Sequence, residues 1–194
     1  MNKGNNIINI VIGAFTIIVV AIIVFIAVKN SPQSSGTLQP APTVGSNEID
    51  FTLPSFNNNQ NYTLSSYKGK KPVILEFMAF WCPHCQNETK VLDQVYSQYS
   101  SDVQIIAVQA SPYYRGYEST GLTTPAGDSD YQYFKNTLGV QYPILKDPNI
   151  ATANKYGVTG FPTFYLIDKT GKIVSTTSGE QPLSYLTTFI NKYK

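Results

Sequence analysis

The sequence predicts an α/β domain, a central mixed sheet flanked by helices with an N-terminal β-hairpin extension, preceded by one transmembrane helix. Three observations predict it. Ile7 to Val28 runs for 22 residues without a charge. An apolar run of strand length, Val73 to Phe80, leads directly into Trp81-Cys82-Pro83-His84-Cys85, and a helix-periodic stretch follows. Val103 to Ala110 then supplies a second apolar strand, which completes a strand–helix–strand unit of the size a parallel crossover needs.

The charge-free run comes first. At about 1.5 Å per residue it extends roughly 33 Å, enough to cross a hydrocarbon core of about 30 Å. A cleaved signal peptide is the rival reading. Its apolar core would run about 7–15 residues before an Ala-x-Ala-like site, whereas Val28 is followed by Lys29-Asn30-Ser31-Pro32. An uncleaved anchor therefore fits better. The organisation is a short tail (1–6), a transmembrane anchor in the lipid bilayer (7–28), a flexible Ser/Pro/Gly/Thr-rich linker (29–46) and one domain (47–194). Lys3 and the α-amine against Lys29 tilt the orientation toward a single-pass cell-membrane protein with its domain on the extracytoplasmic side.

Of the 14 basic residues, Lys3 and Lys29 flank the anchor, and every one of the 12 acids lies from Glu48 onward. The domain is thus formally neutral, which argues against nucleic acid as a partner.

Within the domain, Ile49 to Leu53 alternates and stops at Pro54 as an edge strand, and Tyr62 to Leu64 returns as its hairpin partner. Ser65 to Gly69 reads as a helical turn before the central strand. The helix after the cysteines spans Pro83 to Tyr99, with Val91, Leu92, Val95 and Tyr99 on one face. Ser111 to Asp128 loses all periodicity and carries Tyr113, Tyr114, Arg115 and Tyr117 in a long loop. Asp128 or Ser129 caps a helix that ends at Gly139. A short strand at Tyr142–Leu145 and a short helix at Asn149–Tyr156 follow. Val158 to Asp168 is a strand with Phe161-Pro162 near its start, Lys172–Thr177 is its antiparallel partner, and Leu183, Leu186, Phe189 and Ile190 mark a terminal helix.

Both cysteines, the only histidine and the only tryptophan fall within five residues. A Cys-x-x-C motif at a strand-to-helix junction points to redox chemistry. Cys82 lies at the helix start, where unpaired N–H groups and the positive end of the macrodipole favour a thiolate. Pro83 suits the first helical position because its missing N–H has no partner there. His84 adds a positive charge or a donor. Cys85, one turn on, is placed to resolve a mixed disulfide. Two cysteines and one adjacent histidine do not close a zinc tetrahedron, so no metal site is assigned.

Asp50-Phe51-Thr52-Leu53-Pro54, Ser65-Ser66-Tyr67-Lys68-Gly69-Lys70, Trp81-Cys82-Pro83-His84-Cys85 and Tyr156-Gly157-Val158 leading into Gly160-Phe161-Pro162-Thr163 occur in that order. In these blocks the chain resembles the thioredoxin superfamily, and within it the membrane-anchored TlpA/ResA-like thiol–disulfide oxidoreductases, from about Ile49 to Tyr193. The resemblance implies a thioredoxin-like fold and an enzyme whose redox group is the Cys82–Cys85 disulfide, with no other cofactor. It implies that Pro162 is a cis-proline facing the site, with Phe161 pairing to the substrate backbone and Trp81 and Pro83 completing the contact surface. Glu76 matches a buried acid six residues before the first cysteine, placed to take the proton of Cys85. The implied partners are protein thiols and disulfides and a membrane redox protein.

The Cys-Pro-His-Cys motif resembles that of the oxidant DsbA, whereas the hairpin and Glu76 resemble the reductase-like branch, so the direction of electron flow is left open. Ala79 and Leu75 stand where a peroxiredoxin needs Thr or Ser and Pro. Copper delivery, which in this fold adds a distant histidine, and a non-enzymatic interaction module are the alternatives.

Overall fold

The computed structural model describes residues 40–111, 127–147 and 149–194. The expected anchor, most of the linker and the Tyr-rich part of the long loop lie outside the described residues. Among the described residues, no helix is long and apolar enough to cross a membrane.

The elements are β1 (Thr52–Pro54), β2 (Asn61–Thr63), a 3-10 turn (Leu64–Tyr67), β3 (Val73–Met78), α1 (Pro83–Tyr99), β4 (Gln104–Gln109), α2 (Asp128–Leu138), β5 (Ile144–Lys146), α3 (Ala151–Lys155), β6 (Thr163–Ile167), β7 (Ile173–Ser178) and α4 (Leu183–Tyr193). Five strands form one mixed sheet in the order β5-β4-β3-β6-β7. β3, β4 and β5 are parallel, while β6 is antiparallel to both β3 and β7. The predicted β3–α1–β4 crossover is therefore present. β1 and β2 pair as the predicted hairpin, with Leu53 opposite Tyr62, and an isolated bridge from Ser55 to Leu145 attaches it to the β5 edge.

Every residue of β3 is buried, because helices cover one face of the sheet and the hairpin, the 3-10 turn and α3 cover the other. Successive strand residues point to opposite faces. Val73, Leu75 and Phe77 join the core with Leu53, Leu64 and Tyr156; Ile74 and Met78 join the core with Leu92, Val95, Phe134 and Leu186. Glu76 lies between Ile74 and Met78 in that alternation. It is thereby turned toward the face that α1 covers.

Several boundaries differ from expectation for local reasons. Gly127, rather than Asp128 or Ser129, is the cap of α2, because the Asp130 carboxylate accepts the Gly127 N–H at 2.8 Å. Gly139 closes that helix at φ +76, as its position predicts. α3 is shorter than Asn149–Tyr156, since buried Asp147 accepts the N–H groups of Thr152 and Ala153 and fixes the start at Ala151. The end of the expected linker already contacts the domain: Gly45 N–H donates to the Ile173 carbonyl at 2.8 Å.

Candidate active site

Cys82 is the N-cap of α1 and Pro83 its first residue, which is the predicted placement. The chain turns sharply here, with Cys82 N–H donating to the Ala79 carbonyl, and the Gln86 side chain ties the turn to Phe80 by a 2.9 Å bond. Both cysteines are free thiols and both are buried. Their environments nonetheless push them apart.

The Cys82 thiol is pulled from an ordinary 9.0 down to about 6. The Cys85 thiol, which donates to the Cys82 sulfur, is the largest cause; the backbone amides of Cys85 and His84 and the charge of His84 add to it, against an opposing cost of burial. At pH 7 a thiol with that value is about nine-tenths thiolate, whereas a free cysteine is only a few per cent ionised. Cys85 is pushed far up, first by burial, then by its bond to Cys82 and by the charge of Glu76. One sulfur is favoured as a thiolate and the other holds its proton.

The Phe161–Pro162 peptide bond is cis, as the resemblance implied. Phe161 meets the motif twice: its carbonyl lies 3.6 Å from the Cys82 sulfur, and its ring packs edge-on to Trp81 at 6.0 Å between centroids. Trp81 is anchored at its other end, its indole N–H donating to the Ser111 hydroxyl at 3.0 Å. Trp81, Cys82, Pro83 and Phe161 therefore come together at one surface, with Pro83 exposed on the rim and Pro162 buried behind it.

Glu76 lies on the inner side. Burial raises its pKa well above the ordinary carboxylate value, and the charges of Glu88 and Cys82 raise it further. Its Oε1 is buried without a hydrogen-bond partner. Glu88, which the apolar periodicity does not single out, is buried on the same side of the sheet. It extends the inward stripe of α1 one turn back from Leu92 and Val95, next to Thr89 and Cys85. Burial pushes it up to about 7, although its Oε2 accepts the Gln181 N–H at 2.7 Å. A carboxylate at a position where helical period demands an apolar residue was the signal available for it.

His84 is exposed and its Nδ1 lies 2.6 Å from Oε1 of Glu180, in the turn between β7 and α4. This acid, too, was not anticipated, being 96 residues away in the chain. It raises the pKa of His84, so the imidazole is favoured as a cation.

The chain is similar to the curated thiol–disulfide oxidoreductase ResA of Geobacillus thermodenitrificans, with 31% identity over 143 residues that cover 74% of each chain. Among solved structures it is similar to a protein from Chlorobium tepidum assigned as thiol:disulfide interchange protein DsbE, at TM-score 0.65 and 26% identity, covering 79% of this chain and 99% of that one. It is also similar to the exposed lipoprotein thioredoxin of Streptococcus pneumoniae strain TIGR4, at TM-score 0.60 and 28% identity, covering 74% and 99%. The model of the AhpC/TSA family matches residues 44–176, from the segment before β1 into β7, and the chain belongs to that family.

Proposed function

We propose that this thiol–disulfide oxidoreductase is held at the cell membrane by residues 7–28, works on the extracytoplasmic side, and exchanges disulfides with protein substrates through Cys82 and Cys85. The observation that carries the exchange reading is the division of labour between the two sulfurs: Cys82 at the helix start beside Phe161, its thiol pulled down to about 6, and Cys85 one turn on, fully buried with its proton held.

In the reducing direction the Cys82 thiolate attacks a substrate disulfide. A Cys82–substrate bond forms, the substrate bond breaks, and the departing sulfur leaves as a thiolate that takes a proton from water. Cys85 then attacks the Cys82 sulfur, the Cys82–Cys85 disulfide forms, and the second substrate sulfur leaves. The substrate gains two electrons and the enzyme dithiol loses two. Oxidation of a substrate dithiol is the same path reversed.

The timing follows from charge. While Cys82 is a thiolate, its charge and its bond to Cys85 hold up the pKa of Cys85, and its charge also raises Glu76. Forming the mixed disulfide removes that charge. Both inner groups then ionise more readily, and Glu76 accepts the Cys85 proton as the thiol becomes a nucleophile. Phe161, Trp81 and Pro83 present the surface on which the substrate chain lies, and buried Pro162 holds the Phe161 backbone in place for it.

A thiolate near 6 lies between the thioredoxin case, about 7, and DsbA, about 3.5. Stabilising the reduced form raises the potential, and the direction of exchange is decided by where the pair falls between thioredoxin's roughly −270 mV and DsbA's roughly −120 mV. Equilibrating the full chain in detergent against glutathione measures this directly. A chain that forms no reversible Cys82–Cys85 disulfide is not an exchange enzyme. For the tether and its side, a membrane-impermeant thiol reagent added to intact cells should label Cys82, and alkaline extraction should leave the chain in the membrane fraction.

A further inference from the structure

Three consecutive residues in the turn between β7 and α4 bind three parts of the redox centre. Gly179 N–H donates to the carbonyl of Pro162 at 2.9 Å. The Glu180 carboxylate bonds Nδ1 of His84 at 2.6 Å and accepts from the Asn87 side chain at 3.3 Å. Gln181 N–H donates to buried Glu88 at 2.7 Å. The flanking backbone bonds fix where Glu180 stands, and Asn87 on α1 holds its carboxylate toward His84.

We propose, on the thiol–disulfide exchange reading above, that Glu180 is a positioning residue of the redox centre: it holds the His84 imidazole in place as a cation, and through it stabilises the Cys82 thiolate. An exposed histidine at neutral pH is largely uncharged unless a partner holds its proton. The charged groups facing His84 are Glu180 on the turn and the Cys82 thiolate at the start of its own helix. His84 in turn acts on Cys82 by its charge and its backbone amide, whereas Glu180 is not among the groups that act on Cys82 directly. The carboxylate thus works through the histidine. Stabilising the thiolate stabilises the reduced pair and makes the centre more oxidising. The dipeptide between the cysteines is therefore incomplete as a determinant of potential in this chain, because its histidine takes its charge state from the turn before the last helix.

The test uses the full chain in detergent, with Glu180→Gln, Glu180→Asp, His84→Gln and the double variant His84→Gln/Glu180→Gln. Three readouts are taken: titration of the single histidine by NMR, Cys82 thiolate absorbance against pH, and the equilibrium constant against glutathione. Glu180→Gln should lower the His84 midpoint, raise the Cys82 midpoint, and shift the glutathione equilibrium about two- to fivefold toward the disulfide, the range for exposed ion pairs. That fold-change corresponds to roughly 10–20 mV more negative. Glu180→Asp should restore part of the shift, and 1 M salt should shrink it. In the His84→Gln background, Glu180→Gln should change nothing further. If wild type cycles reversibly but Glu180→Gln leaves the thiolate midpoint and the potential unmoved, the role is overturned and the exchange function stands. An undiminished effect in the His84→Gln background also overturns it. If wild type itself forms no reversible disulfide, both readings fall.

Discussion

Glu76 on β3 and Glu88 on α1 are two buried carboxyl groups on the same side of the sheet, and the charge of Glu88 adds to the cost of ionising Glu76. Each leaves one oxygen without a hydrogen-bond partner. An acid pair of this kind costs stability once ionised, and that same cost makes an ionised Glu76 a strong acceptor for the Cys85 proton.

Glu88 makes the cost measurable. Its folded value of about 7 lies above the ordinary 4.5, so between those pH values the folded chain binds more protons than the unfolded one, and stability falls as pH rises through that window. Cys82 has the opposite sign. Its folded value of about 6 lies below 9.0, so its contribution is present in full above 9.0 and is lost as pH falls through 6. Replacing Glu88 with Gln keeps an acceptor for Gln181 N–H and removes the titration. Urea unfolding of the reduced protein should show Glu88→Gln gaining on wild type between pH 4.5 and pH 8. A constant difference across that range would mean that Glu88 is not the titrating group.

The two thiols should separate by alkylation. Iodoacetamide should modify Cys82 with a rate midpoint near pH 6, following its thiolate. In Cys82→Ser the remaining Cys85 should stay unmodified through pH 9, since burial and Glu76 keep it protonated. Cys85→Ala removes the donor that most supports the Cys82 thiolate, and the midpoint should rise by about one pH unit. A Cys85→Ala midpoint unchanged from wild type would assign the thiolate to the helix start alone.

The fold and the outer half of the site were legible because they are written in local pattern. β3 is apolar but for Glu76 and β4 is apolar between its terminal glutamines, α1 carries a helical stripe, and Cys82-Pro83 has the chemistry of a helix start. Glu76 was legible as the one acid in an apolar strand. Glu88 was not, because the stripe was read from Val91 onward, where apolar residues make it conspicuous, and not back through Thr89 and Cys85. Glu180 could not be read at all. Its meaning lies in a contact across 96 residues, and nothing local in Ser178-Gly179-Glu180-Gln181 distinguishes it from an exposed turn acid. The strand expected over Val158–Asp168 begins only at Thr163, because Phe161-Pro162 precede it rather than belong to it.

Tyr156 gives the N-terminal extension its anchor. Its hydroxyl donates to the Ile49 carbonyl at 2.8 Å and accepts Ile49 N–H at 3.1 Å, while its ring packs on Phe77 and Tyr165. Tyr156→Phe preserves the packing and leaves the Ile49 groups to find water. It should cost about 1–2 kcal/mol in urea unfolding, and proteolysis should become faster in the segment before β1. Equal loss of protection throughout the domain would place the anchor elsewhere.

Glu76 carries the sharpest kinetic expectation. Cys82 attacks from the helix start as a preformed thiolate, so its rate depends little on a carboxyl that acts on Cys85. Resolution is different, because Cys85 must surrender its proton in an apolar interior, and the acid that adjoins it electrostatically is Glu76. Glu76→Gln removes the acceptor at nearly constant volume and abolishes the repulsion with Glu88. With a disulfide-bonded peptide as substrate, rapid mixing should show formation of the Cys82 mixed disulfide within about twofold of wild type, and its decay slowed by on the order of a hundredfold. The slowed decay should recover as pH rises, because hydroxide then takes the proton in place of the carboxylate. A variant that slows both steps equally would show Glu76 to be a structural acid of the core, and a variant that slows neither would show that the Cys85 proton leaves by another path, with Glu88 the next group to replace.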